Sequence, residues 1–137
     1  MPFAIIIGVV VLLCLALVVA VAIDPGPPPG EVALAYELAW DRFDFDTLWL
    51  LSAPELRDHR NREEFVRAKR EAYADRKALA GLAGEVSLDE VVAGRDAATA
   101  RTCVELHDGS VVHNQVKLVR HVGRWLVCAY DLVPEKA

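Results

Sequence analysis

The apolar and polar positions divide the chain into three parts. From Pro2 to Ile23 no side chain is charged or strongly polar, and the run reads PFAIIIGVVVLLCLALVVAVAI. At about 1.5 Å of rise per residue such a helix is roughly 33 Å long, enough for a hydrocarbon core of ~30 Å, so residues 2–23 are expected to form a transmembrane anchor. A cleaved signal peptide is the competing reading, with Ala20-Val21-Ala22 as the cleavage signal. The length of the run and the lack of Lys or Arg before it weigh against that. Residues 24–30, DPGPPPG, hold four of the seven prolines and read as a stiff polyproline II linker of roughly 20 Å.

The third part, residues 31–137, has the patterning of an α+β domain. Val32, Ala35, Tyr36, Ala39, Trp40 and Phe43 recur at helical spacing, with Glu37, Asp41 and Asp44 on the opposite, polar face. A short apolar turn follows at 47–51. Ser52 with Glu55, and Asn61 with Glu64, are spaced as helix-start signals, the second opening a helix from 62 to about 75 that buries Phe65, Val66, Ala72 and Tyr73. After Gly84 the period changes to alternation. Residues 86–92, 98–107, 111–121 and 124–131 read as four strands joined by short loops, a curved antiparallel meander with the helices packed on one face.

Loop length sets the register. A three-residue loop at 108–110 pairs His107 with Val111, and a two-residue turn at 122–123 pairs His121 with Arg124. Thr102, Val104, Leu106, Val112, Asn114, Val116, Leu118, Trp125 and Val127 then share the inward face. Cys103 and Cys128 fall on the outer face of strands two spacings apart, about 9 to 10 Å, beyond the ~7 Å between Cα atoms that a disulfide tolerates, so free thiols are expected.

Composition and charge narrow the function classes. All 15 basic and 20 acidic residues lie beyond residue 23, so the domain is mildly acidic and nucleic-acid binding is not expected. Residues 57–77 carry eight basic side chains against five acidic ones, which reads as a solvated helix face rather than a lipid-binding patch. Asp58 with Arg62 and Glu63 with Arg67 have the spacing for intrahelical pairs. The Lys and Arg nearest the anchor begin at Arg42, too far to fix its orientation. The common fate of a domain behind an N-terminal anchor places it outside the cytoplasm, in a single-pass cell-membrane protein. Unpaired thiols weigh the other way.

The stretch VALAYELAWDRFDFDTLWLLSAPELR and the final GRWLVCAYDL resemble the nuclear transport factor 2-like superfamily, which includes SnoaL-like and ketosteroid isomerase-like proteins. The resemblance covers about residues 31–134, and its small anchored members occur among uncharacterised actinobacterial membrane proteins. It implies a cone-shaped sheet with a pocket under the helices, and in the enzymes of the superfamily a carboxylate base and a hydrogen-bond donor in that pocket. No local motif transfers those roles. Tyr36, Asn114 and Asp131 are the candidate pocket residues, Asn114 foremost because a buried amide must find partners.

On the outer face Glu105 stands opposite His113 with His107 diagonal to it, a candidate metal cluster that lacks a compact spacing motif and a fourth ligand. Lys117, Gln115, Leu126 and Tyr130 on that face would serve a homodimer or a membrane-protein partner. No nucleophile elbow, phosphate loop, nucleotide fingerprint or Cys-x-x-Cys pair occurs, and no cofactor is expected. The reading is therefore a membrane-tethered domain that binds a partner or a small apolar ligand, rather than an enzyme. An isomerase- or dehydratase-like activity in the cone is the alternative, and an accessory subunit of an envelope complex the third.

Overall fold

A computed structural model describes residues 2–22 and 26–133, with side chains of the first helix described over residues 5–15. The elements are helices α1 (Pro2–Ala22), α2 (Pro29–Asp41), α3 (Phe45–Leu51) and α4 (Arg62–Ala72), then strands β1 (Ala83–Ala93), β2 (Ala97–Leu106), β3 (Val111–His121) and β4 (Arg124–Leu132). Single 3₁₀ segments lie at Pro54–Arg57 and Ala74–Leu79. The strands form one antiparallel sheet in the order β1-β2-β3-β4, the expected meander.

Helix α2 lies across the sheet. Val32, Ala33, Tyr36 and Ala39 are buried with Ala100, Val116, Leu118, Trp125 and Val127 from the strands, and Leu48 and Phe65 bring α3 and α4 into the same core. Helix α3 starts where Asp44 accepts a hydrogen bond from the Thr47 amide at 3.2 Å and from its hydroxyl at 2.6 Å, satisfying one of the amides a helix start leaves open. Those two bonds hold the Asp44 carboxyl below the usual range. Asn61 caps α4 as expected, accepting from the Glu64 amide at 2.9 Å.

Several expectations need correction. Ser52 starts no helix but ends α3: its amide donates to the Trp49 carbonyl, its hydroxyl donates back to the Leu48 carbonyl, and its backbone bridges to Val127. Pro29 and Gly30 form the first turn of α2, with Pro28 as the extended residue before it, so the linker is shorter than its composition suggests. The end of the linker also lies on the domain, since a Cβ at Gly26 would sit 3.2 Å from Arg124 and one at Gly30 2.8 Å from Leu88. Residues 24 and 25 fall outside the described residues. Arg62 pairs with Asp46 at 2.8 Å rather than with Asp58.

Two corrections concern register and shape the site. The β2–β3 loop is His107-Asp108-Gly109, closed by Leu106 and Ser110, with Gly109 at φ 87. A three-residue hairpin loop needs its last residue in the left-handed region, so the glycine belongs there, and every pair shifts by one residue on each strand. Thr102 therefore faces Asn114 and Cys103 faces His113, while each residue keeps its side of the sheet.

The second correction is a bulge in β4. Leu118 pairs with Val127 and Lys117 with Ala129, leaving Cys128 as the extra residue. Past a bulge the alternation reverses. Tyr130 pairs with the buried Val116 and moves to the inner face, whereas Asp131 pairs with Gln115 and is exposed on the outer one.

Candidate functional site

Four side chains meet where α2 crosses the inner face of the sheet. Glu37 comes from α2, Thr102 from β2, Asn114 from β3 and Tyr130 from β4. Glu37 Oε1 accepts from Thr102 Oγ1 at 2.6 Å and from Asn114 Nδ2 at 3.0 Å, and Oε2 accepts from the Tyr130 hydroxyl at 2.7 Å. Asn114 Nδ2 also donates to the Tyr130 oxygen at 2.8 Å. Glu37 is 5% exposed, Thr102 0% and Asn114 4%, so the carboxylate has left water for three neutral donors. Such an exchange is tolerated only with nearly all lone pairs engaged.

Burial raises the Tyr130 hydroxyl far above its usual pKa, and the neighbouring Glu37 charge and hydrogen bond push it the same way. Burial likewise raises Tyr36, whose ring packs against Tyr130 at 5.2 Å.

The quartet adjoins a pocket of about 620 Å³ bounded by α2, the 3₁₀ segment before β1 and the inner face of the sheet. Glu37, Asn114 and Tyr130 line it with Asp41, whose Oδ1 accepts from the Ala83 amide at 2.9 Å. The rest of the lining is aromatic or aliphatic: Trp40, Phe43 and Tyr73 on one side, and Val104, Leu106 and Val112 on the other. No Lys, Arg or His is among these lining residues. Trp40, Phe43 and Tyr73 are held in a ring cluster with Phe45, with centroids 5.4 to 6.3 Å apart. Leu79, Leu82 and Leu132 at the margin are 50%, 42% and 70% exposed, so the approach is apolar too.

Two buried polar atoms meet no full hydrogen-bond geometry among the described residues: Trp40 Nε1, which lies beside the buried Tyr36 hydroxyl, and Asn114 Oδ1, which is left as an open acceptor. Both residues line the pocket. An unmet buried group costs about 1 to 3 kcal/mol, which a bound molecule of the right polarity would recover.

Of the three candidate pocket residues, Asn114 stands at the centre of the quartet. Tyr36 is buried beneath it, packed on Tyr130, and is not among the lining residues. Asp131 points away, on the outer face. Sequence reasoning missed Glu37, read as a polar-face residue, and placed Tyr130 on the wrong face. Signals for both existed. Ala33 and Glu37 lie beside Val32 and Tyr36 on the helix surface, so a slightly wider buried stripe takes in the carboxylate, and the bulge carries Tyr130 inward to meet it.

On the outer face Glu105 pairs with Val111 rather than with His113, and both Glu105 and His107 are exposed. His113 instead faces Cys103 and contacts Asp89. The two cysteines of the domain are free, as expected.

No protein-family model matches the chain, and no curated protein matches it. Among solved structures the fold is similar to that of a Campylobacter jejuni protein carrying the provisional description of an NTF2-like transpeptidase, at 16% identity and a TM-score of 0.57, over 75% of this chain and 99% of that one. A SEC-C motif protein from Rhodopseudomonas palustris (18% identity, TM-score 0.48, 72% of this chain and 73% of that one) and a Bacteroides ovatus protein from a domain family of unknown function (11%, 0.47, 80% and 97%) are also similar. The first likeness shows an NTF2-like α+β fold. It carries the fold alone.

Proposed function

We propose that the domain binds a small molecule with an apolar body and one hydrogen-bond donor, a hydroxyl or an amine, and that it does so tethered to a membrane by α1. The observation that carries the first half is the hydrogen-bond balance of the quartet. Every donor hydrogen of Thr102, Asn114 and Tyr130 is spent on Glu37 or Tyr130. What remains open is acceptor capacity: Asn114 Oδ1 and the fourth lone-pair site of the Glu37 carboxylate. A ligand donor fits both, and the aromatic and aliphatic lining fits an apolar body. Two acidic and no basic residues among the lining favour an ammonium over a neutral hydroxyl; the cation–π partners of the Trp40 and Tyr73 rings are the protein's own Lys69 and Arg76.

An isomerase- or dehydratase-like enzyme is the second reading, favoured by the 2.7 Å approach of Glu37 and Tyr130 in one pocket. A carboxylate beside a phenol is a workable proton-transfer pair. Stabilising the developing oxyanion of such a reaction needs a free, aimed donor, and the quartet has none left. Binding therefore stands first.

The anchor rests on other grounds. Among the described residues no helix is long and apolar enough to cross a membrane. The described side chains of α1 cover only residues 5–15, while its backbone is helical over 21 residues, about 31 Å, and its sequence is apolar throughout. Every Ile, Leu and Val from Ile5 to Leu15 is more than half exposed, around the whole helix, a surface suited to lipid rather than water. A single-pass topology with the domain outside the cytoplasm is the arrangement we favour.

The binding reading is tested with three probes of one shape, naphthalene, naphthol and naphthylmethylamine, titrated into the full chain in lipid nanodiscs against empty nanodiscs. The indole signal of Trp40 is followed by nuclear magnetic resonance. The amine and the naphthol are expected to shift Trp40 and leave Trp49, whose Nε1 donates to the Arg60 carbonyl, unmoved, with naphthalene about tenfold weaker than the amine. Equal affinity for all three, or no shift of Trp40, contradicts it.

A further inference from the structure

The outer face of the sheet gathers a second set of groups, unrelated to the pocket. Asp89, Cys103 and His113 come from β1, β2 and β3, and one ligand atom from each lies within 4.8 Å of the other two. Register explains the convergence. Cys103 stands directly across from His113. On the other side β1 pairs Leu88 with Thr102 and Glu90 with Arg101, which makes Asp89 the extra residue of a bulge. A bulge re-aims the side chain it carries, and here the Asp89 carboxylate reaches past β2 to lie 3.1 Å from His113 Nδ1.

We propose that Asp89, Cys103 and His113 form a zinc-binding site. The donor set is one carboxylate oxygen, one thiolate sulfur and one imidazole nitrogen. Calcium and magnesium take oxygen ligands almost alone, whereas a mixed sulfur, nitrogen and oxygen set suits zinc. Tetrahedral zinc with bonds of about 2.0 to 2.3 Å needs its ligand atoms roughly 3.5 Å apart. The separations run from 3.1 Å between Asp89 and His113 to no more than 4.8 Å, within about 1.3 Å of that value, a difference side-chain rotation closes. The Asp89 and His113 side chains are 44% and 39% exposed, which gives the ion an entry path and leaves a fourth position for water. On binding, the Cys103 thiol proton leaves to solvent as the sulfur–zinc bond forms, with no change in oxidation state. Three protein ligands and an open position are the arrangement of zinc sites that bind or activate a further ligand rather than of closed structural ones.

The test uses the metal-stripped full chain in a nonionic detergent. Calorimetric titration with zinc is expected to give one ion per chain, weakened about tenfold or more by Asp89→Asn and by His113→Ala, with Glu105→Gln without effect. Cobalt in place of zinc should give a thiolate-to-metal charge-transfer band that Cys103→Ser abolishes and Cys128→Ser preserves. Thermal unfolding without metal, equal for each variant and the native chain, separates a lost ligand from a lost fold, and the cobalt band of the native chain is a readout that needs no variant. Heat no greater than that of buffer, a band surviving Cys103→Ser, or affinity unchanged in a folded His113→Ala chain overturns the site.

Discussion

At the scale of single residues, the domain turns on Glu37 and the three neutral groups that hold it. Removing the carboxylate leaves Thr102, Asn114 and Tyr130 donors unmatched in a buried place, each worth about 1 kcal/mol or more, so Glu37→Ala is expected to lower unfolding free energy by about 3 kcal/mol in a denaturant titration. The buried tyrosines give a pH signature of definite sign. Tyr36 and Tyr130 hold their protons more tightly folded than unfolded, so their contribution is complete below the unfolded value of about 10 and is lost as pH rises above it towards the folded values. Thermal stability should therefore fall above about pH 10, and Tyr130→Phe should make that fall shallower. A fall equally steep in Tyr130→Phe would contradict the burial of the Tyr130 hydroxyl as its source.

At the scale of elements, what was legible in the sequence and what was not follow one physical line. Patterning located α2, α4 and all four strands, because periodicity reports which side of an element meets the core. Asn61 was legible as a cap because a side chain three residues from an open amide is a local matter. Ser52 was not, because its backbone is drawn into a bridge with the distant Val127 and its hydroxyl turns back to the Leu48 carbonyl instead of capping forward. The sides of β2 and β3 survived a loop misplaced by one residue at each end, since the two errors preserve alternation. The bulge in β4 did not allow that: one extra residue, Cys128, exchanges the roles of Tyr130 and Asp131, and no composition cue marks it. Of the four site residues, Tyr130 was thus hidden in one backbone irregularity and Glu37 at the edge of the α2 stripe, while Thr102 and Asn114, in regular strand, were placed on the inner face.

The β3–β4 turn offers a test of its own. Val122 at φ 49 and Gly123 at φ 77 make the two-residue turn that matches strand twist, a conformation that suits Asn far better than a β-branched residue. Val122 is 90% exposed, so Val122→Asn loses no packing and should stabilise by about 1 kcal/mol in thermal unfolding. No gain, or a loss, would mean that the turn is of another type.

At the scale of the molecule, three parts of the chain are arranged for different solvents. Helix α1 is the proposed anchor, the quartet and its pocket are the proposed site for a ligand with one polar end, and Glu105, Lys117 and Asp131 on the outer sheet face are exposed. If α1 is the anchor, alkaline carbonate washing should leave the full chain in the membrane pellet and release a chain that begins at Gly26. Release of the full chain would contradict the anchor. A reporter fused after Ala137 should be active only outside the cytoplasm. The central claim is narrower and sits in the pocket, where the open acceptors of Glu37 and Asn114 are taken to select a ligand. Its most direct measurement is the affinity of naphthylmethylamine for the native chain and for Glu37→Gln, which keeps the shape and removes the charge, with naphthalene as the internal control. The account predicts a loss of about tenfold or more for the amine and none for naphthalene. Equal amine affinities in the two proteins would contradict it.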